Sequence, residues 1–171
     1  KHGPLLIAEI GGNHEGNFNY AKKLTKLAIK SDVDVIKFQI YTGDTLVNEL
    51  QSPSRNKHFK KFQLRKEHHI YLAKMCKDNG VKYLSSVWDL SALKWIDKYL
   101  DFYKIGSGDL TCYPLIEKLA KKGKPIILST GLSSLKEVNQ TIKFIKSKNS
   151  KYKLKKNLSI LQCTSTYPTL D

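Results

Sequence analysis

The sequence predicts an α/β protein that forms part of a TIM-type (β/α)8 barrel, and three observations support this. Apolar runs of strand length alternate along the 171 residues with segments whose apolar residues recur at helical spacing. These runs are apolar almost throughout, which is typical of a parallel sheet covered by helices. Polar residues stand at the carboxyl end of every predicted strand, and a barrel gathers those ends around one opening.

The main alternative is an open, doubly wound sheet, which would spread the strand ends along a line. The dinucleotide-binding version of that fold opens its first helix with GxGxxG, a motif that this sequence lacks. The barrel is therefore the favoured fold. Six strands are predicted where eight close a barrel, so residues 1–171 are expected to form the first six βα units of one barrel domain.

The first half of the chain contains three predicted strands and two predicted long helices. The polar stretch from Thr42 to about Phe62 contains Pro53 and little periodicity, which predicts a functional or mobile loop. The second helix is expected to end at Asn79-Gly80. The strands are "LLIAEI", "VDVIKFQIY" and "VKYLSSVW", and the helices are "NFNYAKKLTKLAIKS" and "LRKEHHIYLAKMCKDNG".

The second half of the chain repeats the same alternation. A short helix, "LSALKWIDKYL", precedes the strand "DFYKIGSGD", and the helix "YPLIEKLAKKG" precedes the strand "KPIILSTG". Leu135, Val138, Ile142 and Ile145 are predicted to form the inner face of the next helix. The sixth predicted strand is "LSILQCTSTYP".

The composition narrows the class of protein. The net charge is +15, but all of the 30 basic residues except Arg55 and Arg65 are lysine. Because arginine is the residue suited to bidentate phosphate and base recognition, this bias argues against nucleic-acid binding. The apolar runs are too short to span a membrane. Cys76, Cys112 and Cys163 lack disulfide or metal spacing, which predicts a reduced, cytoplasmic protein.

The first strand runs into a cluster of polar residues on glycines, "IAEIGGNHEGN". Glu9 interrupts the apolar run, and Asn13 and Glu15 follow it in the glycine-rich segment. Glu15 is a candidate for acid–base work. The alternative is that it complements the dipole at the start of the first helix.

Two lysines, Lys37 and Lys104, lie inside otherwise apolar strands. A buried ammonium needs an anion nearby, which an internal carboxylate such as Glu9 or Asp109 could supply. The functional alternative is a cradle for phosphate or carboxylate, because hydroxyl groups and glycine N–H groups stand at the same strand ends. The hydroxyls are those of Ser86, Ser107, Ser129 and Thr130.

Three further residues are assigned structural roles. His68 and His69 are predicted to lie on a solvated helix face. Cys163 is predicted to be a small core residue, since no base partner marks it as a nucleophile. No set of residues has the spacing of a metal site.

Five segments, in this order, resemble the sialic acid synthase family along essentially the whole chain. No single segment would suffice, but their combination is highly specific. The segments are "IAEIGGNHEGN", "IKFQIYTGD", "YLSSVWD", "YKIGSGDLTCYPLIEKLAKKGKPIILSTGL" and "LQCTSTYP".

The resemblance implies an enzyme that condenses phosphoenolpyruvate with an N-acetylmannosamine-type sugar, giving a nonulosonic acid and phosphate. It implies that Glu15 is the catalytic carboxylate, with Lys104 near the carboxylate of phosphoenolpyruvate and Asp109 at a second acidic position that is glutamate in some members. Gln39 and Tyr167 would contact the acceptor sugar, and Asn13 would face the substrates. The remaining contacts to phosphoenolpyruvate would come from Lys37, Ser86, Ser107, Ser129 and Ser165, the last standing where some relatives carry asparagine.

The resemblance also implies parts that this sequence does not contain. In the family, a divalent metal, manganese or magnesium, is held by histidines from later strands. A C-terminal antifreeze-like domain reaches the partner's site in a homodimer. The alternative to a synthase is a truncated, non-catalytic barrel fragment that binds an anionic ligand or a partner chain.

Overall fold

The computed structural model describes residues 3–166, 168 and 169 of the chain. Six strands and seven helices lie within these residues, and helices and strands alternate as the sequence predicts. The strands are β1 (Ile7–Gly11), β2 (Val35–Ile40), β3 (Lys82–Val87), β4 (Tyr103–Ile105), β5 (Ile126–Ser129) and β6 (Leu158–Leu161). The helices are α1 (Phe18–Lys30), α2 (Gly43–Leu46), α3 (Pro53–Phe62), α4 (Lys66–Asp78), α5 (Leu93–Ile96), α6 (Tyr113–Lys122) and α7 (Leu135–Lys148).

The chain forms two compact units, and the first, Lys1–Leu100, contains a three-stranded parallel sheet. Strand β2 lies in the middle, paired with β1 on one side and β3 on the other. Its residues Val35, Ile36 and Phe38 are fully buried, as expected for a central strand between helical layers. The β1–β2 register shifts between Glu9 and Gly11, so β1 bends at its carboxyl end.

Helices α1 and α4 begin and end at residues that suit those positions. The Asn17 side chain accepts a hydrogen bond from the Tyr20 N–H, which satisfies one of the free donors at the start of α1. Helix α4 ends at Asp78 with Asn79 as its C-cap, and Gly80 follows with φ of +71°, so the predicted helix end at Asn79-Gly80 is confirmed. Ala73 and Cys76 lie on its buried face.

The prediction of a loop from Thr42 to about Phe62 is wrong, because α2 and α3 fold within it. Polar contacts hold these helices together, and such contacts leave no apolar periodicity in a sequence. The buried Asn56 amide donates to the Val47 carbonyl at 2.7 Å. The Lys60 ammonium lies 2.7 Å from an Asp44 carboxylate oxygen and 3.4 Å from a Glu49 carboxylate oxygen.

The prediction that His69 is solvated is also wrong, since its side chain is only 1% exposed. Its Nδ1 shares a 2.8 Å hydrogen bond with the hydroxyl of Tyr83, a buried residue of β3. Its Nε2 has no hydrogen-bond partner within the part of the chain that the structure describes. Burial, together with the charges of His14 and His68, lowers the pKa of His69 to about 3.

The second unit, Asp101–Asp171, contains a second parallel sheet in the order β4-β5-β6. Helix α7 begins with a capping box, in which Ser134 and Glu137 satisfy each other's backbone N–H groups. Leu135 was predicted on its inner face but is 81% exposed, because it occupies the first turn next to the cap. Thr141 is buried instead, and its hydroxyl donates to the Leu110 carbonyl at 2.9 Å.

Across residues 3–166, 168 and 169, none of the helices has the length and apolar character needed to cross a bilayer.

Candidate functional site

The first unit places a lysine–carboxylate pair on β1 and β2. Glu9 and Lys37 are register partners, and the Lys37 ammonium lies 2.8 Å from a Glu9 carboxylate oxygen. The Lys37 side chain is 8% exposed and the Glu9 side chain 51% exposed. The internal pair that the sequence left open is therefore present, and its carboxylate remains in contact with solvent.

Gln39 and Ser86 extend this group of polar residues along the sheet. They are register partners on β2 and β3, and Gln39 lies two residues beyond Lys37, so these side chains share one face. A Cβ atom placed on Gly11, whose φ is +53°, would lie 3.3 Å from a Glu9 carboxylate oxygen and 3.7 Å from the Gln39 amide nitrogen. Gly11 thus lets the end of β1 pass close to both side chains.

The β1–α1 turn carries Asn13 and Glu15, the two residues expected to face the substrates. The Asn13 amide donates to the Ile10 carbonyl at 2.9 Å and so ties the turn to the end of β1. Glu15 is exposed and has φ of +53°. No hydrogen-bond or ion-pair partner of its carboxylate is found among residues 3–166, 168 and 169.

The second unit brings Lys104 and Ser129 together at the ends of β4 and β5. The Lys104 ammonium donates to the Ser129 hydroxyl oxygen at 2.5 Å and to the Ile105 carbonyl at 3.2 Å. Ser129 is buried and Lys104 is partly buried. A cation and a hydroxyl held together at the strand ends have the chemistry to bind a phosphate or carboxylate oxygen.

Gly131 lies between two of the predicted serines. Its N–H donates to the Ser107 hydroxyl oxygen at 3.0 Å. A Cβ atom placed on Gly131 would lie 2.5 Å from the Ser165 hydroxyl oxygen and 2.9 Å from that of Ser107. The glycine leaves room for both hydroxyls in their present positions, and Ser107 and Ser165 lie close together around it.

Asp109 lies on a 3-10 turn, Ser107–Asp109, directly after β4. Its side chain turns back toward the backbone, because a Cβ atom placed on Gly106 would lie 3.1 Å from one Asp109 carboxylate oxygen. The carboxylate is half-buried and lies within the second unit, as do Lys104 and Ser107.

The prediction that Cys163 belongs to the core is wrong, since its side chain is partly exposed. Burial raises the pKa of this thiol, but hydrogen bonds with Ser129, Thr130 and Ser107 and the charge of Lys104 outweigh that effect, so the net shift is downward. Cys163 therefore adjoins the lysine–serine group. Its place at a strand end, two residues before Ser165, was the sequence signal for this position.

Tyr167, the second predicted contact to a sugar, lies outside the described residues. The other predicted residues form two groups, one in each unit. The first unit contains Asn13, Glu15, Lys37, Gln39 and Ser86, and the second contains Lys104, Ser107, Asp109, Ser129 and Ser165. No cluster of three or more His, Cys, Asp or Glu side chains in residues 3–166, 168 and 169 is placed to hold a metal ion.

All of the predicted site residues except Asn13 and Glu15 lie within a stretch of sequence that matches a family model. The model of the NeuB family matches residues 24–170, which is most of the chain. The chain belongs to the NeuB family. This confirms the resemblance found in the five sequence segments.

Two curated relatives show what the family contains. The N-acetylneuraminate-9-phosphate synthase of Homo sapiens is 32% identical over 180 residues, covering 98% of this chain and 48% of that protein. The N,N'-diacetyllegionaminic acid synthase of Campylobacter jejuni is 31% identical over 177 residues, covering 96% of this chain and 52% of that protein. This NeuB chain spans about half the length of the curated relatives it matches.

A solved structure shows the same fold. The N-acetylneuraminic acid synthetase from Leptospira borgpetersenii, in complex with citrate, superimposes with a TM-score of 0.87 at 26% identity. The match covers 98% of this NeuB chain and 56% of that chain. The predicted fold class, the first six βα units of a (β/α)8 barrel, is confirmed by this likeness and by the parallel strands of both sheets.

Proposed function

We propose that the complete protein condenses phosphoenolpyruvate with an N-acetylmannosamine-type sugar, giving a nonulosonic acid and phosphate. The Lys104–Ser129 pair is the observation that carries this proposal, because it supplies a cation and a hydroxyl at adjacent strand ends in a member of the NeuB family. The names of the relatives, which are synthases of N-acetylneuraminate 9-phosphate and of a legionaminic acid, support the product class.

The reaction balances without an oxidant or reductant. The methylene carbon of phosphoenolpyruvate forms a bond with the aldehyde carbon of the open-chain sugar, whose oxygen gains a proton. Water then adds to the carbon that bears the phosphate, and the C–O bond to that phosphate breaks. One phosphoenolpyruvate, one sugar and one water therefore give one nonulosonic acid and one phosphate.

Residues of the second unit are proposed to bind phosphoenolpyruvate. Lys104 would pair with its carboxylate, and the hydroxyls of Ser107, Ser129 and Ser165 would donate to its oxygens. These groups are already close together, so little side-chain entropy is lost on binding. Asp109, near the same group, would relay a proton.

Residues of the first unit are proposed to supply further substrate contacts and the catalytic carboxylate. Lys37 and Ser86 would contact phosphoenolpyruvate, and Lys37 would exchange its Glu9 partner for an anion of the substrate. Glu15 would orient and deprotonate a reacting group, since its carboxylate is exposed at the tip of a turn. Gln39 and Tyr167 would contact the acceptor sugar.

A divalent metal, manganese or magnesium, and a homodimer are proposed for the complete protein. Such a metal would polarise the sugar aldehyde. The described residues contain no cluster that fits it, so none of the roles above depends on a metal ligand in this chain.

The test is phosphate release from phosphoenolpyruvate by the complete protein. We expect release only when an N-acetylhexosamine acceptor and Mn²⁺ are both present, and its near-complete loss in Lys104→Ala. Lys118→Ala, on the exposed face of α6, is the matched control and should retain full activity. If the protein binds phosphoenolpyruvate but releases no phosphate with any acceptor tested, the non-catalytic alternative is favoured. Undiminished turnover in Lys104→Ala would overturn the residue assignment.

A further inference from the structure

The β1–α1 turn is held from inside by a histidine that has no role in the function proposed above. His14 is only 2% exposed, although it lies between two residues expected to face the substrates. Its Nδ1 accepts a hydrogen bond from the Gly16 N–H at 3.0 Å, and its carbonyl accepts one from the Asn17 N–H at 2.8 Å. His14 thus accepts hydrogen bonds from the backbone of the two residues that follow Glu15.

Glu15 needs such support because its backbone conformation is unfavourable. Its φ of +53° lies in the left-handed region, which costs a residue with a Cβ atom about 1–2 kcal/mol. Such a conformation persists only where its surroundings impose it, and imposed strain is common at catalytic positions. The hydrogen bond from the Gly16 N–H to the His14 Nδ1 closes the turn immediately after Glu15, and so helps to impose the left-handed conformation of Glu15.

The same turn is confined from outside by α3. Gly16 has φ of +77°, and a Cβ atom placed there would overlap the Lys61 carbonyl oxygen. A Cβ atom on Gly12 would lie 3.8 Å from the Phe62 ring. The turn that carries Glu15 is therefore enclosed between α3 and the His14 side chain.

The His14 ring also links this turn to β2. It stacks near Phe38 with ring centroids 6.2 Å apart, and Phe38 lies between Lys37 and Gln39 in the strand. Burial lowers the pKa of His14 against an opposing hydrogen bond with the Gly11 backbone. A lowered pKa favours the neutral imidazole, whose Nδ1 lone pair can accept from the Gly16 N–H.

We propose that His14 is a positioning residue for Glu15: its Nδ1 fixes the Gly16 N–H, and the closed turn directs the Glu15 carboxylate. This inference rests on the proposed function, in which Glu15 handles a proton. His14 itself touches no reacting atom, so its loss should slow turnover without weakening the binding of phosphoenolpyruvate.

Two substitutions separate the hydrogen bond from the packing. His14→Phe keeps an aromatic ring against Phe38 but removes the acceptor. His14→Asn provides a side-chain oxygen near the position of Nδ1 but removes most of the ring. In the complete protein we expect His14→Phe to lower kcat by about tenfold or more, with the KM for phosphoenolpyruvate within about twofold of wild type. His14→Asn should recover a clear part of kcat.

Amide hydrogen exchange of the β1–α1 turn provides a readout that does not require activity. Exchange at Gly16 should be slow in wild type and His14→Asn and fast in His14→Phe. A His14→Phe protein that keeps either wild-type kcat or slow Gly16 exchange would overturn the inference, provided that its melting curve shows it folded. A wild-type protein that releases no phosphate would remove the proposed function and the catalytic part of this inference, whereas Gly16 exchange would still decide whether His14 holds the turn.

Discussion

The ammonium of Lys37 lies 2.8 Å from the carboxylate of Glu9, yet the two side chains differ sixfold in exposure, at 8% and 51%. A cation this buried is costly to leave without an anion. Its present partner, the Glu9 carboxylate, is about half exposed to solvent, so its side chain can rotate away from Lys37 at little cost. An arriving phosphate or carboxylate can therefore replace Glu9 without leaving the Lys37 ammonium unpartnered.

We predict that Glu9→Gln binds phosphoenolpyruvate about fivefold more tightly than wild type, equivalent to about 1 kcal/mol. The substitution replaces the competing carboxylate with a neutral amide of the same size. Isothermal titration calorimetry on the complete protein measures the Kd. Glu67→Gln, in the exposed first turn of α4, is the control and should leave the Kd unchanged. Equal or weaker binding by Glu9→Gln would show that Lys37 does not meet the anion.

The close contacts of Gly131 give a second prediction. Gly131→Ala would place a methyl group 2.5 Å from the Ser165 hydroxyl and 2.9 Å from the Ser107 hydroxyl. Both hydroxyls can rotate away, so the fold should lose only about 1 kcal/mol, but the displaced hydroxyls should raise the Kd for phosphoenolpyruvate by about tenfold.

Gly108→Ala is the matched control for this variant. Nothing lies within 4 Å of a Cβ atom placed on Gly108, which belongs to the same unit. Its Kd should stay at the wild-type value, and urea denaturation of both variants measures the stability change. If Gly131→Ala binds phosphoenolpyruvate as well as Gly108→Ala does, Ser107 and Ser165 do not form the binding site.

The buried His69 predicts acid-sensitive stability. Its pKa is about 3 in the folded protein, below the 6.5 of a free histidine, because burial penalises the charged ring. Between pH 6.5 and about 3 the unfolded chain therefore binds a proton that the folded one does not. The free energy of unfolding should fall as the pH falls through this window, by about 1.4 kcal/mol per pH unit.

Urea denaturation at several pH values measures this slope. His69→Phe removes the titrating group and should flatten the curve, although it also removes the hydrogen bond to the Tyr83 hydroxyl and so lowers stability at pH 7. His58→Phe changes an exposed histidine of α3 and should leave the slope as in wild type. A His69→Phe curve as steep as that of wild type would assign the acid sensitivity to other groups.

The sequence predicts the strands and the strand-end residues well because both follow from patterns that neighbouring residues share. Strand β2 is apolar on both faces except where Lys37 and Gln39 stand, so its burial and its polar end are visible together. Ser107 and Ser165 follow the ends of different strands, and a parallel sheet brings such ends to one edge. Local sequence patterns are therefore sufficient to predict buried strands and the polar residues at their ends.

Features that depend on a specific tertiary partner were missed. Asn56 and Lys60 stabilise α2 and α3 through polar contacts that no hydrophobic period records. His69 is buried because Tyr83 of another element supplies a hydrogen bond, and nothing in the helix sequence indicates that partner. Leu135 has helical spacing but lies in the first turn of α7, where its side chain is exposed.

The last prediction concerns Cys163, whose pKa is lowered by Ser129, Thr130, Ser107 and Lys104 despite partial burial. A lower pKa increases the thiolate fraction, so Cys163 should react with iodoacetamide near pH 7.5. Cys76 should not react in the folded protein, because burial raises its pKa to about 12.

Phosphoenolpyruvate should protect Cys163 if the neighbouring lysine and serines bind it, since the bound anion would cover the thiol and repel the thiolate. Saturating phosphoenolpyruvate is expected to slow its alkylation by about tenfold, as measured by mass spectrometry of the Cys163 peptide. Cys112, exposed at the start of α6, is the internal control in the same sample and should react at one rate with or without the ligand. Equal slowing at both cysteines would indicate a general effect of the anion, and no slowing at Cys163 would place phosphoenolpyruvate away from Lys104.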